Sequence, residues 1–351
     1  MEERKMGYLP LIGIMVSTNR GRIYALKRYQ QPYNLDMRVF AFTPKDINWK
    51  SRRINGVSWT RGGWKKRSFP FPDAVYNRCY NKTNTINNSI EKAIGKKCFN
   101  MITCFNKWII YNMLKNSQME EYLPNTFLYH EVNVANVLEQ YKLMYLKPVY
   151  GSQGINVNRI ELVENGEILI SSHSLPPRYI IRENEGIQEK LSEVVKQKSR
   201  YILQEGISPK QIEHSDYDLR VLVQKNMNGE WEATTISNRV AYDNYFNTSI
   251  YKAIYNAEIY LPEILFNKEE GERILQELKE VSVKVASILD YQIGLLGELS
   301  VDFMLGENNK LKIIEVNGRP QKNIYDDIED LKNKDIIYKR PLEYAWYLSR
   351  L

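Results

Sequence analysis

The sequence predicts a mixed chain, α/β at its start and α+β beyond, and three observations lead there. Apolar runs at 11–16, 37–42 and 74–78 alternate with polar stretches and with a helix around Tyr24-Ala25-Leu26, the rhythm of a small unit with a partly parallel sheet. Apolar runs at 219–223 and 231–237 flank Asn228-Gly229, a hairpin turn signal. A further pair, 301–305 and 313–317, is separated by the turn-prone Gly306-Glu307-Asn308-Asn309 and carries acidic side chains out of apolar surroundings.

With 351 residues, 43% of them hydrophobic and 26% charged, the chain is expected to be an ordinary soluble globular protein with two or three structural layers. The run 8–16 is too short and too quickly polar for a membrane span, and no small-residue cleavage site follows it. It is read as the first strand of a cytoplasmic protein. Cys79, Cys98 and Cys104 cannot all pair and form no C-x-x-C, so free thiols and no zinc are expected. The net charge of +7 suits an anionic substrate, nucleic acid or a membrane surface. It is spread along the chain, which argues against nucleic acid. The local concentration at Arg52-Arg53, Arg61 and Lys65-Lys66-Arg67, interleaved with Trp59 and Trp64, is read as a solvated basic loop, with polyanion recognition as its rival.

Beyond the first unit, the Asn/Thr-rich 81–88 reads as a surface loop leading to a helix at 90–94. Asn106 is placed to cap a helix at 107–114. Helices at 134–141 and 187–198 flank strands at 143–148, 155–160 and 179–181, with Gly151-Ser152-Gln153-Gly154 as a flexible turn. A strand at 201–205 follows, and a long helix at 269–289 precedes the acidic hairpin. His130, His173 and His214 lack metal spacing and are assigned nothing.

The acidic hairpin carries the chemistry. Lone buried carboxylates are costly, and Asp302, Glu315 and Asn317 side by side become tolerable when a hard divalent cation such as Mg2+ neutralises them. Glu315 and Asn317 are two positions apart on a strand and point to one face. Lys147 ends an apolar strand directly before the glycine turn, where a cation can sit beneath backbone N–H groups that close over phosphates. No Walker A motif occurs. The strand end Gln204-Glu205-Gly206-Ile207 can offer a backbone edge to an adenine ring. Asp218 and Arg220 share a strand face, suited to a sugar hydroxyl and to a phosphate or carboxylate.

From Asn106 to Pro320 this order of motifs resembles the ATP-grasp superfamily. Segments 202–207 and 218–223 look much like RimK-type glutamate ligases. The whole chain, including Pro72-Asp73-Ala74-Val75-Tyr76-Asn77-Arg78 and Asn106-Lys107-Trp108, is similar to the YheC/YheD family of endospore coat-associated proteins. The resemblance implies an ATP-grasp fold, two α+β subdomains gripping ATP behind an N-terminal α/β domain. Its units would be 1–100, a small or lid subdomain at 101–206 with linking helices, and a C-terminal subdomain at 207–351 holding the metal site. By position, Lys107 and Lys147 would reach phosphate oxygens and Gly151, Ser152 and Gly154 would form the lid. Gln204, Glu205 and Ile207 would line the adenine pocket, and Asp218 would contact the ribose. Arg239 would face the γ-phosphate, with Arg220 and Arg319 as further catalytic cations and Arg319 on a substrate carboxylate or phosphate. Asn247 would open the following loop, although the glycine-rich stretch expected after it is replaced by Ser249-Ile250-Tyr251-Lys252. Asp302, Glu315 and Asn317 would bind Mg2+, as two ions bridged by Glu315, with Mn2+ able to substitute.

The activity so implied is a carboxylate–amine ligase working through an acyl phosphate, on an amino acid or acidic peptide. The alternative is a spore coat-associated ATP-binding protein without turnover. Expected partners are ATP and a small-molecule or peptide acceptor, anionic by the hint of Arg319, with neither membrane nor nucleic acid. A homodimer is the default assembly, and the location is cytoplasmic and spore-associated.

Overall fold

The computed structural model describes residues 8–29, 35–80, 85–182, 186–195, 200–209, 215–306 and 308–351. The first unit runs β1 (Leu11–Met15), α1 (Asn19–Tyr29), β2 (Arg38–Phe42), β3 (Ile47–Asn48), β4 (Arg53–Thr60), β5 (Gly63–Pro70), β6 (Ala74–Asn77), α2 (Thr85–Ile94) and β7 (Cys98–Phe99). β1 is apolar at every position and buried throughout, because it lies between parallel partners β2 and β6 with both faces covered. The sheet order is β3-β4-β2-β1-β6-β7, with β5 on β4.

The basic segment is not a loop. It forms the β4–β5 hairpin, turning at Gly63 (φ +94°), with Trp59 paired to Trp64 and their ring centroids 4.8 Å apart. Most of β5 is solvated, so the period-2 apolar signal of a half-buried strand never appears. Helix α2 starts at Thr85, inside the stretch read as loop, of which 81–84 lie outside the described residues. Cys79, Cys98 and Cys104 are buried free thiols.

The middle unit comprises α3 (Lys107–Lys115), β8 (Thr126–Leu128), α4 (Val134–Tyr141), β9 (Leu143–Pro148), β10 (Asn158–Leu162), β11 (Ile168–Ser172), β12 (Tyr179–Ile181), α5 (Ile187–Val194) and β13 (Tyr201–Glu205). Its antiparallel sheet has the order β12-β11-β10-β9-β13-β8. Val134, Leu138 and Leu191 from α4 and α5 pack on Met144, Leu146, Ile160 and Leu203. α5 stops at Val194, short of the expected 198, and 196–199 lie outside the described residues.

The last unit is β14 (Tyr217–Lys225), β15 (Trp231–Ala241), β16 (Tyr251–Asn256), α6 (Ala257–Ile264), α7 (Lys268–Ile293), β17 (Glu298–Leu305), β18 (Leu311–Asn317) and α8 (Ile336–Arg350). Its antiparallel order is β16-β15-β14-β17-β18. Leu219, Val221 and Val223 face Ile274, Leu278 and Val285 of α7. On the other face, Leu222 joins Ile337, Leu342 and Leu348 of α8 and Ile12 and Ile14 of the first sheet in one core, so α8 ties the first and last units together. α3 packs on α7 and β18. Among the described residues no helix is long and apolar enough to cross a membrane.

Candidate functional site

Strand register builds a ladder of charge on one face of the last sheet. Asp218 pairs opposite Arg239, Arg220 opposite Asp302, and Asp302 opposite Glu315, across β15, β14, β17 and β18. Alternation then turns these side chains to the same side. Arg220 clasps Asp302 in a two-pronged bond, Nε to Oδ1 at 2.7 Å and Nη2 to Oδ2 at 2.6 Å. Arg239 bonds Asp218 through both prongs and reaches Asp302 Oδ2 at 3.1 Å. Thr248 Oγ1 donates to the same Asp218 carboxylate at 2.5 Å. Asp302 is only 2% exposed. Burial pushes its pKa up, but Arg220 and Arg239 more than offset this and hold it below the ordinary aspartate range. Asp218 thus has its carboxylate engaged by Arg239 and Thr248 at the position where the resemblance implies a ribose contact.

Glu315 is half-buried beside this ladder, and Asn317 Nδ2 lies 3.5 Å from Asp302 Oδ2. Among the described residues no group of three His, Cys, Asp or Glu side chains gathers to hold a metal. What gathers is two carboxylates and an amide, a hard oxygen set that fits Mg2+ once phosphate and water complete its shell. The amide presents its oxygen when rotated half a turn.

Lys107 opens α3 because Asn106 caps it, the Asn106 side chain accepting from Trp108 and Ile109 N–H at 3.0 and 3.2 Å. Its ammonium bonds Glu315 at 2.9 Å and the Gly151 carbonyl at 3.1 Å, joining helix, lid and acidic hairpin. Lys147 ends β9 and donates to Gln204 Oε1 on the adjacent β13 at 2.6 Å. Burial pushes Lys147 down to about 8, with Glu315 opposing the fall and Lys107 adding to it.

A pH dependence follows. Phosphate binds the ammonium form, so nucleotide affinity is expected to fall as pH rises through about 8, with proton uptake on binding above that. The folded value lies below the ordinary 10.5, so the empty protein gains stability from this group between about 8 and 10.5. Calorimetry at about pH 8.5 in two buffers of different ionisation heat reads the uptake, and Lys147→Met should abolish it.

The lid is held at its tip. Gly154 has φ +66°, and a Cβ there would stand 2.2 Å from Asn247 Nδ2, so only glycine fits against that amide. Asn247 Nδ2 donates to the Gln153 carbonyl at 3.4 Å and lies 3.3 Å from His173 Nδ1, a histidine to which the sequence assigned nothing. The expected glycine-rich run after Asn247 is replaced by β16, which starts at Tyr251. At the hinge, Asn125 donates through N and Nδ2 to Glu205 Oε2 at 2.9 and 2.8 Å, and its carbonyl accepts the Glu205 N–H at 2.8 Å. This leaves the Glu205 side chain turned to Asn125.

Two adjoining cavities take in every candidate catalytic, nucleotide-binding and metal residue named from the sequence. The smaller, about 100 Å³, is lined by Lys107, Lys147, Gly151, Ser152, Gly154, Gln204, Glu205, Ile207, Asp218, Arg239, Asn247, Asp302 and Glu315. The larger, about 670 Å³, adds Arg220, Asn317 and Arg319. Gly151, Ser152, Arg239 and Glu315 line both, so the ladder stands at their junction. Sequence reasoning missed Thr248 and the residues of the larger cavity that come from the first unit and the chain after β18, including Tyr24, Arg28, Arg78 and Lys322. Only Pro72 to Arg78 had drawn notice, without a role.

Two sheets closing on a cleft between lysines and an acidic hairpin form the ATP-grasp fold. The chain is similar to the D-alanine–D-alanine ligase of Bacillus anthracis complexed with ATP, at TM-score 0.55 and 12% identity over 97% of each chain. It is also similar to the ATP-grasp ligase PsnB complexed with minimal precursor, Mg and ADP, at TM-score 0.52 and 10% identity over 95% of this chain and 98% of that one. Residues 95–348 match the family described as YheC/D like ATP-grasp, and the chain belongs to that family. It is 27% identical over 325 residues, 88% of this chain and 70% of the relative, to the endospore coat-associated protein YheD of Bacillus subtilis (strain 168).

Proposed function

We propose that the chain is an ATP- and Mg2+-dependent carboxylate–amine ligase. The observation that carries this is the junction itself, where Lys107, Lys147 and the Asp302–Arg220–Arg239 ladder meet Glu315 between a nucleotide cleft and a second, larger chamber. A carboxylate oxygen attacks the γ-phosphorus of ATP and ADP departs. An amine nitrogen then attacks the acyl carbon, phosphate leaves, and the nitrogen releases a proton. Arg239 and Arg220 face the phosphoryl group in flight, and the lysines hold the phosphates. Bound Mg2+ would be held by Asp302, Glu315 and Asn317, and it supplies charge neutralisation to the triphosphate. The Gly151–Gly154 segment, anchored through Asn247, keeps water from the acyl phosphate. Relatives named for ATP, Mg and ADP support the choice of ligands, and the coat-associated relative supports a spore-linked setting.

One observation favours a second reading, a spore-associated ATP-binding protein without turnover. Asp302 already has both oxygens engaged by arginines, so its charge is compensated without metal. An ADP-release assay over amino acids and peptides separates the two. Acid- and amine-dependent ADP formation supports the ligase, and nucleotide binding with no ADP across the whole panel supports the binding protein.

A further inference from the structure

The larger cavity holds a cluster that ligation chemistry alone does not use. Arg78, Arg319 and Lys322 all line it, and Arg78 and Lys322 close on a single carboxylate, Glu298, which is fully buried. Lys322 pairs with Glu298, and Arg78 Nη1 bonds Glu298 Oε1 at 2.9 Å. Gln224 Nε2 takes the other oxygen at 3.0 Å. Lys322 Nζ also lies 3.2 Å from both the Tyr29 and Tyr76 hydroxyls. Glu298 is therefore shared out, and Arg319 has no acceptor within hydrogen-bond reach among the described residues. Three basic side chains stand against one acid, and all three line the chamber.

The titration of the cluster agrees with a missing counter-charge. Burial pushes Lys322 down to about 7, with Glu298 opposing and Arg78 adding to the fall. The groups facing Lys322 are Tyr29 from α1, Tyr76 and Arg78 from β6 and just beyond, Glu298 from β17, and Tyr338 from α8, with Arg319 upstream in the same chamber. An anion seated there would restore the ammonium form.

We propose that this cluster seats a second anionic group of the acid substrate, so that the enzyme acts on a dicarboxylic acid or a short acidic peptide. This rests on the ligase reading above. One carboxylate reacts beside Arg239 and Glu315, and the other bonds Arg319 above Arg78 and Lys322. The spacing allows it. Glu315 and Arg319 are four positions apart, so their Cα atoms are at most about 14 Å from one another, a gap that the two side chains close together with a dicarboxylate or dipeptide between them. A chamber of about 670 Å³ is far larger than one acetate-sized group requires.

The test is calorimetry on the full chain with L-glutamate, L-glutamyl-L-glutamate, L-norvaline, which replaces the distal carboxylate by a methyl group, and L-2-amino-4-phosphonobutyrate. Each is titrated with and without Mg2+ and a non-hydrolysable ATP analogue, and the analogue is also titrated alone. Glutamate or its dipeptide should bind at least about tenfold more tightly than norvaline. R319Q should erase that preference, R319K should restore part of it, and glutamate binding near pH 8 should take up a proton. Equal binding of norvaline and glutamate overturns the proposal, as does an unchanged preference in R319Q. A tenfold preference for the phosphonate over glutamate overturns the dicarboxylate assignment. A glutamate preference that persists where the analogue fails to bind supports the anion seat while removing the ligase.

Discussion

Glu315→Gln should lower Mg2+-dependent turnover by about a hundred- to a thousandfold while leaving the protein folded. Glu315 lines both cavities, is bonded by Lys107 at 2.9 Å and pairs in register with Asp302, so on the proposed ligase reading it is the carboxylate shared by nucleotide, metal and substrate chamber. Glutamine keeps the shape and one oxygen but removes the charge that a hard cation requires. The side chain is 22% exposed, so the freed Lys107 ammonium is rehydrated at little cost to stability. Rates of ADP release set against thermal melts check both halves. Turnover within a few-fold of the parent would remove Glu315 from the metal site.

Glu298→Gln should act in the opposite sense, costing stability first. Glu298 is 0% exposed and binds Lys322, Arg78, Tyr76 and Gln224. Removing its charge leaves the buried Lys322 and the half-buried Arg78 without their carboxylate, a loss of about 3–5 kcal/mol. Burial pushes the Glu298 pKa up, and Lys322 and Arg78 more than reverse this, so the folded value lies below the ordinary one. The sign follows from linkage. The contribution is complete above the unfolded value of about 4.3 and fades as pH falls through the folded one. Urea unfolding at about pH 7 and below about pH 4 should therefore show a large gap between parent and variant that closes on acidification. A gap that stays constant with pH would mean that the loss is one of packing.

Much of this was legible in the sequence where one residue type dominates a local choice. Asn106 before Lys107 marked a helix start, and helix α4 and strands β9 and β13 occupy the expected spans. The Asn228-Gly229 hairpin and the acidic hairpin form as turn chemistry and alternation require.

What escaped depended on distance or on missing periodicity. The cluster around Glu298 joins residues 220 positions apart, and Lys322 reads as one more surface lysine. α8 carries Pro341 and a mixture of Tyr, Trp and charged residues, which broke the apolar stripe of a helix although both of its neighbours bury it. The β4–β5 hairpin hid behind its basic side chains, since β5 has no buried position and so no apolar period to read.

The most direct measurement is a crystal structure with Mg2+ and an ATP analogue. The account predicts metal between the Asp302 and Glu315 carboxylates, completed by the Asn317 amide, with the phosphates against Lys107 and Lys147 in the smaller cavity. Nucleotide bound elsewhere, or metal held without Asp302 and Glu315, would contradict it.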